Sequence, residues 1–331
     1  MSLTGSARPA TAADVAARAG VSRATVSHIL NGREARFPEE TRQRVRDAVA
    51  ALDYRPSPAG RSLVTGRGDT IVVLMPSTTM SLSMQDTLER LAENTQSLGS
   101  NVVLRFADPE PDATVTAILK LRPLGVVDLG SLSAAARDRL ASQGVPTVPS
   151  PDHPVTYDGI PLDSAIVELQ VAELIRNGPR RVLYASPADQ RPDFFAIRRV
   201  DTLEQVCARH GLPAPSHIRI PLDAAGAADL LQSVLGPEPV GVAAYNDHVA
   251  LAVLAGAARL GAAVPADLSV IGVDHVDVGH LWSPTLSTIE VDLRAFADVA
   301  ADQLRAMLDG ADLATIDSDR GRVTLIHGGS T

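Results

Sequence analysis

Residues Thr11 to Leu30 read TAADVAARAGVSRATVSHIL, and little else in the chain limits the fold as tightly. Thr11 and Asp14 stand three residues apart, the spacing at which two side chains can cap each other's backbone donors at a helix start. Val15, Ala16 and Ala19 then form one apolar stripe. Gly20 supplies the backbone freedom needed to leave the helix, and Ser22 can cap a second one. In that second helix Val26, Ile29 and Leu30 fall at i, i+3 and i+4, leaving Arg23, Ala24, Ser27 and His28 outward. A third helix is expected from about Glu39, with Val45, Ala48, Val49 and Leu52 on one face and Glu39 and Glu40 in its favourable first turn. The three stripes can share one small core, which makes the segment a helix-turn-helix.

Helical periodicity alone fits any surface hairpin, and charge separates the readings. Residues 1–67 carry 11 Arg against 6 Asp and Glu, a surplus of +5, so the whole-chain net of −9 leaves −14 for the remainder. A basic head on an acidic body is the electrostatic footprint of nucleic-acid binding.

The following stretch, Tyr54-Arg55-Pro56 and then Ala59-Gly60-Arg61-Ser62-Leu63, resembles the end of the DNA-binding head in the lactose-repressor (LacI/GalR) family. The resemblance implies a head over residues 1–56, a hinge helix and linker over 57–68, and an effector-binding and dimerisation core over 69–331. It implies a hinge that orders on operator DNA, with Leu63 wedged into the minor groove, where partial unstacking kinks the duplex. Pro58 is tolerated only in the first turn of such a helix, which is too short to be stable alone in water. By position, the DNA-contacting set is Thr11, Ser22, Arg23, Ala24, Thr25, Ser27, His28, Asn31, Tyr54, Arg61 and Leu63. Two departures stand out. Family members often carry Arg where His28 stands, and Arg reads guanine bidentately where His cannot; Pro38 replaces the usual Ser cap of the third helix.

Beyond Asp69, short apolar runs alternate with helical stretches, as a parallel sheet flanked by helices requires. The strand candidates are Thr70–Pro76, Asn101–Phe106, Gly125–Leu129, Arg181–Ala185, Gly241–Tyr245 and Ser269–Val273. Two similar units, Gly125-Val126-Val127 to Gly144-Val145-Pro146 and Gly241-Val242-Ala243 to Val264-Pro265, suggest two like-folded lobes, which the family resemblance implies are periplasmic-binding-protein-like. The Pro-rich stretch from Pro149 to Pro161 marks either passage between them or a surface loop. The fold class is therefore a small all-α helix-turn-helix head plus an α/β core of two doubly wound parallel-sheet lobes.

Ligands of such sheets bind beyond the carboxyl ends of the strands. Asn246-Asp247 and Asp274 follow two strand ends, and the family resemblance implies that Asn246, Asp274 and Arg199 hold a polyhydroxylated effector. Asp247 reads as the N-cap of the next helix, Asp274 is otherwise a turn residue, and Arg199, beside Arg198, is otherwise solvated helix surface. The first lobe departs from the family: Pro76 to Ser83 lacks the usual Asp and aromatic pair. Aromatics make up only 3% of the chain, and Trp282, in the matching region of the second lobe, is either a stacking surface or part of core or rim.

Enzyme readings have no motif to rest on. GxxxxGK[ST], HExxH and GxSxG are missing, and GRGDT at Gly66–Thr70 lacks the phosphate-loop Lys. His275 and His280, five apart, lack metal-ligand spacing with Cys207, the single cysteine, which reads as a small buried side chain. Neither a metal nor a cofactor is expected. No apolar run reaches the ~18 residues of a membrane span, and the N-terminus lacks a secretory apolar region. The expectation is a cytoplasmic regulator, nucleoid-associated when bound, with double-stranded operator DNA and a sugar-like or other polar metabolite as partners. A homodimer is expected because no leucine heptad follows Val323–His327. The alternative is a periplasmic-binding-protein-like small-molecule binder without a regulatory DNA role, which would need export and have no use for the head.

Overall fold

A computed structural model describes residues 10–30, 34–54, 68–76, 82–178, 181–188 and 194–331. They belong to two compact units, one of the residues up to Asp69 together with Leu121–Leu124, the other of the rest.

The first unit contains three helices, α1 (Ala12–Ala19), α2 (Arg23–Leu30) and α3 (Glu39–Ala51). Thr11 and Asp14 form the expected capping box, the Thr11 side chain accepting from the Asp14 amide while Asp14 accepts from the Thr11 backbone N–H at 2.8 Å. Gly20 closes α1 in the left-handed region at φ 65°, and the Ser22 hydroxyl accepts from the Thr25 amide at 3.1 Å. Val15, Ala16, Ala19, Val26, Ile29, Val45 and Ala48 are buried together, with Leu30, Val49, Leu52 and Tyr54 packed around them. Pro38 gives α3 no side-chain cap.

The second unit holds two sheets. The first has the order β2-β1-β3-β4, from β1 (Thr70–Met75), β2 (Asn101–Phe106), β3 (Gly125–Asp128) and β4 (Thr147–Val148), all parallel. Helices α4 (Leu82–Thr95), α5 (Pro111–Leu121) and α6 (Ala134–Ser142) connect these strands. After a short hairpin, β5 (Thr156–Tyr157) with β6 (Ile160–Pro161), the chain enters α7 (Leu162–Ile175) and builds the second sheet. Its first four parallel strands, β7 (Arg181–Pro187), β8 (Ser216–Ile220), β9 (Val240–Ala244) and β10 (Leu268–Val273), repeat the 2-1-3-4 order. Helices α8 (Phe194–Arg209), α9 (Ala224–Val234) and α10 (Asp247–Leu260) link them. β11 (Ser287–Val291) extends the sheet in parallel and β12 (Val323–Ile326) closes it antiparallel. The repeated order makes the lobes alike, and β1, β9 and β10 are buried almost throughout, as strands covered on both faces must be.

The stretch from Pro149 to Pro161 does run from the first sheet toward the second, and it has company. Helix α11 (Arg294–Asp309) follows β11 in sequence yet packs on the first lobe, where Asp298 accepts from Arg90 and Asn94, each at 2.7 Å. The chain then returns through residues 310–322 to β12. These passages are tied together: the Thr156 amide donates to the Ser318 carbonyl at 2.9 Å, and the Gly159 amide to the Asp319 carboxylate at 2.8 Å.

Gly20 has open space around a would-be Cβ, so Gly20→Ala tests backbone geometry alone. It should destabilise the helical head by ~1–2 kcal/mol, the cost of an L side chain in the left-handed region, read as a lower head unfolding midpoint; an unchanged midpoint contradicts the turn geometry.

Candidate functional site

Two surfaces collect the residues singled out in the sequence. On α2, Arg23 and Ala24 are exposed, whereas Thr25, Ser27 and His28 are half-buried. Ser27 and His28 are thus less outward than the helical pattern implies, and the His28 ring has a neighbour in Phe37, its centroid 6.3 Å away. Ser22 and Thr25 share a hydroxyl hydrogen bond of 2.9 Å. The Thr11 hydroxyl is engaged with Asp14, and Tyr54 packs on the head core. Asn31, Arg61 and Leu63, together with the hinge helix, lie outside the described residues, as does most of the Pro76 to Ser83 run.

The second surface lies at the carboxyl edge of the second sheet, where β7 and β9 are neighbours and the chain leaves them in opposite lateral directions. Doubly wound sheets open a crevice at such a point. Helices run back across the sheet, so the first turns of α7, α8 and α10 all begin at this edge. Arg199, in the second turn of α8, is drawn inward: its side chain keeps 11% exposure against 57% for Arg198. Its Nη1 donates to the Tyr245 carbonyl at 2.7 Å, its Nε to Asp163 at 3.4 Å, and its guanidinium lies 5.3 Å from the Tyr245 ring centroid. Burial works to lower the Arg199 pKa, but the oxygens of Tyr184, Asp163, Tyr245 and Asp274 raise it further, so the group stays cationic. Arg199 is therefore a buried, oriented cation and not solvated helix surface.

The Asn246-Asp247 pair divides its work in the reverse of the sequence expectation. Asn246 is the N-cap of α10, its Oδ1 accepting from the Val249 amide at 3.0 Å. Strand β9 ends at Ala244, so the helix begins at Asp247 itself and the capping position falls one residue earlier. Asp247 is fully buried and faces the sheet, where Oδ1 accepts from the Thr288 hydroxyl at 2.6 Å and Oδ2 from the Val276 amide at 2.8 Å.

Asp274 follows β10 with φ 101°, and His275 follows with φ 52°. Burial pushes the Asp274 carboxyl up to about 7, against the pull of Arg199 and with added repulsion from Asp247. Asp247 is itself pushed up to about 6 by burial, which its hydrogen bonds from Thr288 and Val276 only partly offset. Trp282 is half-buried against the apolar core of the second lobe. Among the described residues no group of three His, Cys, Asp or Glu could hold a metal, although His275 and His280 bring their Nε2 atoms to 2.9 Å. Cys207 is buried. No helix among the described residues is long and apolar enough to cross a membrane.

Asp163 and Tyr245 went unnoticed in the sequence. Asp163 carried one signal, an acid just after a helix-starting Pro161, where it also favours the helix dipole. The chain offers an amide, a carboxylate and an oriented guanidinium at one sheet edge, donors and acceptors that hydroxyl-rich ligands need.

The raised carboxyl pKa values have a fixed sign. A carboxyl whose folded pKa exceeds its ordinary value of 3.8 binds its proton more tightly when folded, so its contribution to stability is complete below about pH 4 and is lost as pH rises through 6 to 7. Urea midpoints of ligand-free protein between about pH 5 and 8 should therefore fall with pH, and Asp274→Asn should flatten the upper part of that fall. Parallel profiles for parent and variant would contradict the assignment.

Comparison with known proteins matches this arrangement. Residues 11–57 fit the model for bacterial regulatory proteins of the lacI family, and residues 171–331 that for a periplasmic binding protein-like domain. The HTH-type transcriptional regulator GntR of Pseudomonas aeruginosa is 28% identical over 327 residues, covering 93% of this chain and 92% of the relative. The ribose operon repressor of Escherichia coli K12 is 27% identical, covering 89% and 92%. The lac repressor dimer, solved bound to operator and the anti-inducer ONPF, shares the fold with a TM-score of 0.72 at 20% identity, covering 98% of this chain and 99% of that one. A helix-turn-helix head and a doubly wound two-lobed core, joined in one chain, place this protein in the lacI family of bacterial regulatory proteins.

Proposed function

We propose that the chain is a ligand-responsive DNA-binding transcription regulator, a repressor acting as a homodimer on a near-palindromic operator. The observation that carries this reading is the presence in one chain of a basic helix-turn-helix with Arg23 and Ala24 exposed on α2 and a ligand-type cluster at a sheet switch point. Arg23, Ala24, Thr25, Ser27 and His28 enter the major groove, Thr11, Ser22, Asn31, Tyr54 and Arg61 position the head on the backbone, and Leu63 of the hinge at 57–68 wedges into the minor groove. The protein works in the cytoplasm, on the nucleoid when bound.

Two features support the remaining parts. Strand β2 is the edge of the first sheet and leaves Val103, Leu104 and Phe106 exposed, an apolar edge that a second copy can cover. Within the effector site, Arg199 already binds Asp163 and the Tyr245 carbonyl, so the free-facing chemistry is dominated by the Asp274 carboxylate and the Asn246 amide. A neutral polyhydroxylated ligand suits that balance better than an anion, its hydroxyls donating to Asp274 and accepting from Asn246, with Trp282 at the rim. Effector binding shifts operator affinity by its differential affinity for two lobe arrangements, typically ~1–3 kcal/mol per site.

Selection of bound sites from random DNA by the full chain should return a two-fold symmetric motif. His28→Ala should relax preference at one position of each half-site while leaving salt dependence unchanged, whereas loss of a phosphate contact would lower the log K against log salt slope by roughly 0.9. No enriched motif, or an identical motif from the variant, would overturn the DNA-reading assignment of α2.

A further inference from the structure

We propose that Asp247 is the positioning residue of the effector site: its buried carboxylate ties the segment leaving β10 to strand β11 and thereby holds Asp274 at the sheet edge. The proposal rests on the reading of that edge as the effector site, but its geometry is independent of any ligand.

Three observations converge on this carboxylate. First, both oxygens are spent on the same short segment and its neighbour, Oδ2 accepting from the Val276 amide at 2.8 Å and Oδ1 from the Thr288 hydroxyl of β11 at 2.6 Å. Thr288 Oγ1 accepts in turn from the His275 amide at 3.3 Å. The Asp274 amide donates to the Ile289 carbonyl at 2.9 Å. Every residue from 274 to 276 is thus fastened through Asp247, Thr288 or β11.

Second, the segment needs fastening. Asp274 and His275 are consecutive L residues at φ 101° and 52°. Such conformations cost free energy and persist only where the surroundings determine them, most often at functional sites. Third, the sheet makes room for this side chain with a glycine: a Cβ at Gly272 would lie 1.9 Å from Asp247 Oδ1. The glycine, two residues before Asp274, lets the carboxylate reach across β10 to β11.

A helix cap would not need this arrangement, because Asn246 already supplies the cap. A carboxylate with no solvent exposure is costly unless its acceptor capacity is met, and here one donor, the Val276 amide, belongs to the segment carrying Asp274 and the other, the Thr288 hydroxyl, to the strand on which that segment is fastened. The hydrogen bonds of Asp247 reach the ligand site through that segment and β11, which distinguishes its role from those of Asp274, Asn246 and Arg199.

The experiment follows the full chain, without ligand, by amide hydrogen exchange at Val276 and by the carboxyl carbon titration of Asp274. Asp247→Asn should speed Val276 exchange by about tenfold or more, the loss of a charge-assisted hydrogen bond, and should lower the Asp274 midpoint, because a neighbouring negative charge is gone. Gly272→Ala, which keeps the Asp247 carboxylate but presses on its oxygen, should speed Val276 exchange as well. Should either variant fail to fold, the Thr288 pair decides: Thr288→Val should speed exchange at His275 and Val276, and Thr288→Ser, which retains the hydroxyl, should restore the parent rates. Parent-like exchange at both amides and a parent-like Asp274 midpoint in the variants would overturn the proposal. Failure of the effector reading itself would show differently, as ligand binding that ignores Asp274.

Discussion

A carboxylate taken out of water has to be fully hydrogen-bonded or give up its charge, and the second lobe meets this condition at Asp247 by donating from the backbone of one strand exit and the side chain of the next strand. The rest of the sheet edge is arranged around that requirement. Gly272 is small so that the carboxylate fits, Asn246 takes over the helix cap, and Asp274 and His275 adopt left-handed backbone angles. On the other side of the switch point, Asp163 and Tyr245 orient Arg199 in the same economical way, by a carboxylate, a carbonyl and a ring face. Charges that would be ruinous singly in an apolar sheet become a fixed constellation when each is held by named partners.

Much of this was legible in the sequence where hydrophobic pattern and local chemistry agree. The capping box at Thr11, the αL glycine at Gly20 and the stripes of α1 to α3 are short-range signals, and all appear in place. The six strands that the apolar runs predict are β1, β2, β3, β7, β9 and β10. The other six are short or lie toward the sheet margins: β4, β5 and β6 have two residues each, β12 has four, β8 reads SHIRI, with alternating burial, and β11 reads STIEV. Sequence proximity also misled at Asn246-Asp247, because either residue can cap a helix and only the strand length decides which one does. Asp163 escaped for another reason, since its partner Arg199 is 36 residues away and no local pattern links them. The return of α11 to the first lobe is likewise a long-range packing outcome that no window of sequence contains.

The proposed switch joins two kinds of site with different demands. Helix α2 offers exposed groups on a three-helix core, and the proposed reading places its specificity in side chains such as His28, whose ring has Phe37 as a neighbour at 6.3 Å between centroids. The proposed effector site must instead discriminate between two arrangements of the lobes, and residues 149–161, 292–293 and 310–322 carry the chain between them, the first and third tied through Thr156, Ser318 and Asp319 and the second to the third by the Asp292 amide on the Arg322 carbonyl. Any ligand energy that reaches the DNA has to be differential between those arrangements.

The most direct measurement is a thermal-shift comparison of the parent chain and Asp274→Asn at neutral pH, each titrated with neutral sugars such as ribose and cellobiose and with sugar acids of similar size. The account predicts that a neutral polyhydroxylated compound stabilises the parent, by about 2.7 kcal/mol at 100 times its dissociation constant, and that the shift is lost in the variant. Equal stabilisation of both proteins, or a response confined to the sugar acids, would contradict it.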